Sequence, residues 1–397
     1  MELSDTFTPV AGRLLAELGA DVLVVEPPTG SPQRRRPPFA QDVPDLNRSL
    51  RWWGGNVGKR GVVVDMSSAR EVGRLRGLLV GADVVIEGAG LGLDPLGLGF
   101  ESLSRTTPSL IWLSVTPFGR QSHRSTEPVT DLTMLAGGGP VWNCGYDDHT
   151  VPPMRGAGDQ SVNIAGQYGA IAVLVALAYR DRSGRGQLID LNVNAACNVT
   201  NEQVTYNWLV IRETCTRQTG RHAYYHPTAP VQVRCADGLY ATTGVLPRRP
   251  DEFEDLHQWL SELGLLDDLP DAVFLKMAAD RDEPITLAVA GEDVEATAMM
   301  AAARDAISLI AANLPAKEFF LQSQARGFPA GAILSPEEAF EDEHSAERGF
   351  RVTVSHPELG KSYEYPGLPY SFSSTPSASP RRPPMLGEHN GEVLGSD

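Results

Sequence analysis

Cysteine is scarce in this chain of 397 residues: Cys144, Cys197, Cys215 and Cys235 are the only four, and no two of them form a CxxC pair. That argues against a disulfide framework or a thiolate zinc site and fits reduced thiols in the cytoplasm. Positive charge is also short, with 34 Lys and Arg against 50 Asp and Glu, a net charge of −16. A duplex nucleic-acid partner is therefore not expected, because such binding needs phosphate-neutralising side chains spread over a face. The eight histidines show no HExxH spacing, so no metal is expected. There is no Gly-x-Ser-x-Gly elbow and no P-loop lysine. Long hydrophobic runs are missing too: the longest, "AIAVLVALAY" (170–179), is too short to span a bilayer. With no signal pattern at the start, no membrane partner is expected. The opening "MELSDTFTP" runs almost at once into a helical pattern with no complete strand before it, which points to a trimmed start.

What is present is enough chain for two domains, or for one interrupted by another. Thr8 is a plausible N-cap before Pro9, and Val10, Leu14, Leu15 and Leu18 mark an apolar helix face that Gly19 ends. The runs "DVLVVE" (21–26), "GVVVD" (61–65), "DVVIE" (83–87) and "LIWLSV" (110–115) read as buried parallel strands separated by helical or turn-rich segments. This alternation predicts an open α/β sheet with ligands at the carboxyl ends of its strands. Ile164, Tyr168, Ile171, Val175 and Tyr179 recur at helical spacing, and "SGRGQ" (183–187) stops that helix before the strand "LIDLNV".

After about residue 225 the pattern changes. "PVQVRC" and "DGLYATTGV" predict a hairpin around Ala236-Asp237-Gly238, and Phe253, Leu256, Leu260 and Leu263 form a helical stripe. "GFRVTVSHPELGKSYEYPG" (349–367) predicts two more strands joined at Pro357 to Gly360. A smaller α/β unit is therefore expected from about 225, after a larger one over 1–224.

Three successive arginines, Arg34 to Arg36, follow a strand end in "EPPTGSPQRRRPPF" (26–39), the densest positive cluster of an acidic chain. They read either as a solvated loop or as a phosphate contact, since guanidinium matches phosphate oxygens in a bidentate way. Lys59 and Arg60, before the next strand, are candidates to converge on the same anion. "AGGGP" (136–140) reads as a tight turn bordering a site, with Asp131, Asp147, Asp148 and Asp159 as nearby carboxylates. His226 is the histidine expected nearest the domain junction.

The stretches "LLAELGADVLVVEPPTGSPQRRRPPF", "NVGKRGVVVD", "ADVVIEG", "LGLGFESL", "LIWLSVTPFG", "RDRSGRGQLIDLNV", "CADGLY" and "LGEHN" resemble the class III CoA-transferase family. Spread over 14–390, they cover nearly the whole chain. The resemblance implies a Rossmann-like large domain built from both chain ends, 1–224 and 331–397, with 225–330 inserted as a smaller α/β domain, and a homodimer of interlocked subunits. It implies a CoA thioester as substrate rather than a permanently bound cofactor, with a carboxylic acid as the other partner. Arg34 and Lys59 match positions that contact the nucleotide and phosphate part of CoA.

In the family an aspartate four residues before a helix glycine attacks the thioester to give a mixed anhydride. A gap-free count from "SGRGQ" puts the glycine at Gly166 and the nucleophile at Val162, which has no attacking group. Asp159, three residues upstream, is the displaced candidate, and Asn163 offers only hydrogen bonds. Amides of the turn Gly137, Gly138 and Gly139 are the candidate oxyanion donors for a non-covalent route. The racemase branch needs a histidine where Thr130 precedes Asp131, and "IEGAGLG" (86–92) departs from the family's Asn and Arg there. Two functions follow: acyl-CoA chemistry by a modified mechanism, or a non-catalytic subunit of a heteromer with an active paralogue. A third is a binding protein for a non-CoA ligand.

Overall fold

The computed structural model describes residues 1–88, 93–244, 246–286, 289, 293–375 and 381–395. It divides into two units, Met1–Cys144 with Pro152–Thr214 and Phe340–Asp397, and Gly145–Val151 with Cys215–Ala339. The boundaries expected at 224 and 330 therefore move to 214 and 339. The hairpin of β7 (Thr216–Gln218) and β8 (Arg221–Tyr224) belongs to the smaller unit. Its Arg221 pairs with Asp147 at 3.0 Å, and Arg217 donates to the Val151 carbonyl at 2.8 Å, which draws 145–151 in with it.

The larger unit is built on six parallel strands: β1 (Glu2–Leu3), β2 (Leu23–Glu26), β3 (Arg60–Val63), β4 (Val84–Gly88), β5 (Ile111–Thr116) and β6 (Leu188–Asn192). Their order is β3-β2-β1-β4-β5-β6. The first residues thus form a central strand, although two residues are too few for the sequence pattern to register as one. β1 pairs with β2 through Glu2↔Val24 and with β4 through Glu2↔Ile86. Every residue of β2 and β5 is buried, as expected of strands covered on both faces.

Strand alternation separates two cores. Ile86, Leu113 and Val115 pack on one face with Ala11 and Leu15 of α1 (Pro9–Glu17) and with Val162, Ala165 and Val173. On the other face Val85 and Trp112 meet Leu75 and Leu79 of α3 (Ala69–Val80) and Leu103 of α4 (Phe100–Leu103). α2 (Leu50–Asn56) supplies Trp52 and Trp53 to a third cluster with Val354 and Tyr365, which come from the hairpin β12 (Arg351–His356) and β13 (Lys361–Pro366). That hairpin matches the strands expected at 349–367.

α5 (Asp131–Gly138) precedes the long helix α6 (Gln160–Ser183). Small residues of α6 face inward: Ala165, Gly166, Gly169, Ala170 and Ala176 are all buried. A Cβ on Gly166 would stand 2.4 Å from the Val10 side chain, so glycine sets how closely α1 approaches. Large apolar residues of the same helix point outward, with Ile171 57% and Val175 63% exposed. Among the described residues α6 is the one helix long and apolar enough to cross a membrane, but its inner face is part of the sheet's core. α7 (Val193–Val199) and α8 (Glu202–Ile211) complete this stretch.

The smaller unit has an antiparallel sheet of β9 (Gln232–Arg234), β10 (Tyr240–Thr243) and β11 (Ala330–Ala332), in the order β11-β10-β9. β9 and β10 are the hairpin expected around residues 236–238. α9 (Pro250–Glu262) buries Phe253, Leu256, Trp259 and Leu260 against α10 (Ala272–Ala279) and the helices Val294–Asn313 and Ala316–Ala325.

Candidate active site

The strand order reverses between β1 and β4, and open α/β sheets bind ligands in the crevice outside the carboxyl ends at such a point. Ser4 and Asp5 leave β1 there, and Gly88 ends β4. The Asp5 carboxylate accepts from the backbone N–H groups of Thr6 (2.5 Å) and Phe7 (3.3 Å), while burial pushes its pKa up. Thr8 does not cap α1 as expected: its hydroxyl accepts from the Asp5 N–H and lies 3.2 Å from Glu2 Oε1. Glu87, also pushed up by burial, accepts from Arg120 Nη1 at 2.5 Å. The hydroxyls of Ser4 and Thr116, at the ends of β1 and β5, are buried with no hydrogen-bond partner among the described residues. The family departure at 86–92 falls largely on 89–92, outside the described residues. A cavity of about 790 Å³, lined in part by Leu18, Asp21, Arg60 and Phe372, opens at the opposite, amino edge.

The expected phosphate ligands are engaged elsewhere. Arg34 is fully buried over the Trp52 ring, 3.6 Å from its centroid. Its Nε and Nη2 grip the Glu26 carboxylate at 2.6 and 2.7 Å, and the remaining donors reach the carbonyls of Leu46 and Pro384 and Asn47 Oδ1. Lys59 spends its three N–H bonds on Glu2 (2.5 Å), the Pro9 carbonyl and Asn56. Burial lowers its pKa and Glu2 opposes that. With every donor committed and both heads out of solvent, neither side chain has a free bond for a phosphate in this structure. Arg60, at the amino end of β3, pairs with Asp21 and Glu392 at 2.5 and 2.8 Å, away from the crevice. In this structure the three residues tie chain segments together.

The start of α6 is where the expected nucleophile positions fall. Val162 is 7% exposed and sits in the core with Phe7 and Ala11. Asn163 points outward, and Asp159 is the N-cap residue but makes no side-chain cap bond. Its carboxylate is instead paired with Arg51 and lies 3.6 Å from Arg36. Asp131 holds the same helix start by accepting from the Ser161 N–H and hydroxyl, both at 2.8 Å, and pairs with Arg155. Sequence reasoning grouped Arg36 with Arg34 and missed Arg51, which meets Asp159 across 108 residues with no local pattern to show it.

The glycine stretch closes a helix. Gly137 and Gly138 are the last residues of α5, and Gly139 closes it at φ 107°, donating its N–H to the Leu135 carbonyl. A helix end presents carbonyls rather than N–H groups. The Gly138 carbonyl is taken by the amides of Asn198 and Asn201 at 3.0 and 2.9 Å. His226 lies in the smaller unit, exposed, with Nδ1 3.1 Å from the Pro227 carbonyl. Among the described residues no group of three His, Cys, Asp or Glu is placed to hold a metal ion.

Residues 6–390 match the CoA-transferase family III. The chain belongs to that family. As a family III member it is 31% identical over 400 residues to the succinyl-CoA:(R)-benzylsuccinate CoA-transferase subunit BbsE of Thauera aromatica, covering 99% of this chain and 92% of that one. It is 27% identical to the succinyl-CoA–L-malate CoA-transferase beta subunit of Chloroflexus aurantiacus, covering 97% of this chain and 89% of that one. A crystal structure of a CAIB/BAIF family protein from Brucella suis superposes with a TM-score of 0.78 at 26% identity, covering 99% and 96% of the two chains. Family membership supports acyl-CoA transfer, with a CoA thioester as substrate.

Proposed function

We propose that this chain is an acyl-CoA-handling subunit of a cytoplasmic family III CoA-transferase whose attacking carboxylate comes from a second, paralogous chain. The observation that carries this reading is the state of the helix start: position 162 holds a buried valine, and Asp159 is paired with two guanidiniums. Attack on a thioester needs a carboxylate oxygen with an available lone pair aimed at the carbonyl carbon. Charge-assisted pairing occupies those lone pairs and lowers their nucleophilicity. The partner's carboxylate would form the acyl–oxygen bond as the CoA thiolate leaves. That two relatives are named as subunits supports the heteromeric form.

The test is CoA exchange from succinyl-CoA to free dicarboxylic acids, with intact-mass analysis, for the chain alone and for the chain co-purified with a family III paralogue bearing the aspartate. Alone it is expected to give no exchange and no acyl adduct; together, exchange with the adduct on the paralogue. An adduct on Asp159, or exchange by the chain alone, overturns the reading and restores a displaced nucleophile.

A further inference from the structure

We propose that Arg36 and Arg51 form a binding site for a substrate carboxylate, occupied by Asp159 until the substrate displaces it; this rests on the family III reading above. The three neighbouring arginines are not equivalent. Arg34 is buried with all its donors used, whereas the Arg36 side chain is 42% exposed and its guanidinium makes no hydrogen bond among the described residues. Its only partner there is Asp159, at 3.6 Å. Arg51, 34% exposed, donates Nε to the Pro37 carbonyl at 3.0 Å and pairs through Nη1 with the other oxygen of Asp159. Two guanidiniums thus share one carboxylate.

Their bases are fixed. The Ser49 hydroxyl donates to the Arg36 carbonyl at 2.6 Å and accepts from the Trp52 N–H, capping the helix that carries Arg51. The heads therefore converge without a large ordering cost on binding. Charge favours an incoming anion: Arg36, Arg51 and Arg155 face Asp131 and Asp159, three positive groups against two negative. Arg155 is satisfied by Asp131, so the surplus falls on the Arg36 and Arg51 pair, in a chain whose net charge is −16. A planar fork suits a carboxylate.

The present occupant selects the kind of anion. The group now held by Arg36 and Arg51 is a carboxylate, Asp159. The anion that displaces it is therefore expected to be a carboxylate of the acyl group or acceptor, matched to the same two guanidiniums.

Direct binding, without turnover, tests this separately from the subunit reading. Succinate and inorganic phosphate are titrated calorimetrically into the whole chain and its variants, with circular dichroism to verify folding. Removing the internal competitor in Asp159→Asn is expected to tighten succinate binding on the order of tenfold. Adding Arg36→Gln or Arg51→Gln to that variant is expected to weaken it by at least about tenfold. Phosphate is expected to bind more weakly than succinate throughout. No saturable succinate binding to Asp159→Asn, no effect of either arginine change, or tighter binding of phosphate would overturn the proposal.

Discussion

His356 shows how one residue can couple burial to pH in this chain. Its ring is 1% exposed, lies 4.1 Å from the Trp53 ring centroid, and has Nε2 3.0 Å from the Tyr365 hydroxyl. Nδ1 faces Glu358 at 3.0 Å, and Glu358 in turn pairs with Arg382. Burial lowers the His356 pKa from its ordinary 6.5 more than Glu358 raises it. The unfolded chain then takes up a proton near pH 6.5 while the folded one does not, so stability falls as pH drops through that value. Denaturant midpoints are expected to decrease from about pH 7.5 to about pH 5.5. His356→Gln should flatten part of that slope, and an unchanged slope would show that other groups set it.

At the scale of elements, the contact between α1 and α6 is set by side chains that are missing. A Cβ at Gly166 would lie 2.4 Å from Val10 Cβ and 3.0 Å from the Ala11 backbone nitrogen. Gly166→Ala is therefore expected to lose about 1–3 kcal/mol through overpacking, whatever alanine gains in helix propensity. At Gly73, in α3, an added methyl group would meet nothing within 4 Å, so Gly73→Ala should instead gain about 0.5–1 kcal/mol. Opposite signs in urea melts of the two variants would establish packing as the cause. Helical periodicity alone does not say which face of α6 meets the sheet. The spacing of Ile164, Tyr168, Ile171 and Val175 identified a helix, but glycines and alanines occupy the side nearest the sheet. Where backbones must approach, small residues are inside and bulky apolar ones are left for another surface.

For the molecule as a whole, that outward face of α6 calls for a covering. Ile171, Leu174, Val175 and Tyr179 are each between 45% and 63% exposed, a concentration of apolar surface unusual on a soluble monomer. The oligomeric reading, homodimer or heteromer, predicts that this face is buried between chains. Light scattering should find an oligomer for the unaltered protein, and Ile171→Glu with Val175→Glu should shift it to a smaller species with its helical content retained. A mass unchanged by the double substitution would remove this face from the interface.

The order of residues was enough to establish the α/β class, the parallel strands from "DVLVVE" to "LIDLNV", the hairpins around 236–238 and 357–360, and the family, because each is written in local periodicity or in contiguous motifs. It also showed that position 162 carries no attacking group. The central strand Glu2–Leu3 was beyond it, since a two-residue strand has no period to read and exists only through its neighbours β2 and β4. Packing was needed to separate Arg34 from Arg36, because burial against Trp52 and Glu26, rather than residue type, decides which guanidinium keeps free donors. Packing likewise brought Arg51 to Asp159 and turned Gly137 to Gly139 from an expected donor loop into a helix end. Those are contacts between distant segments, and they depend on how elements meet in space rather than on which residues stand side by side in the chain.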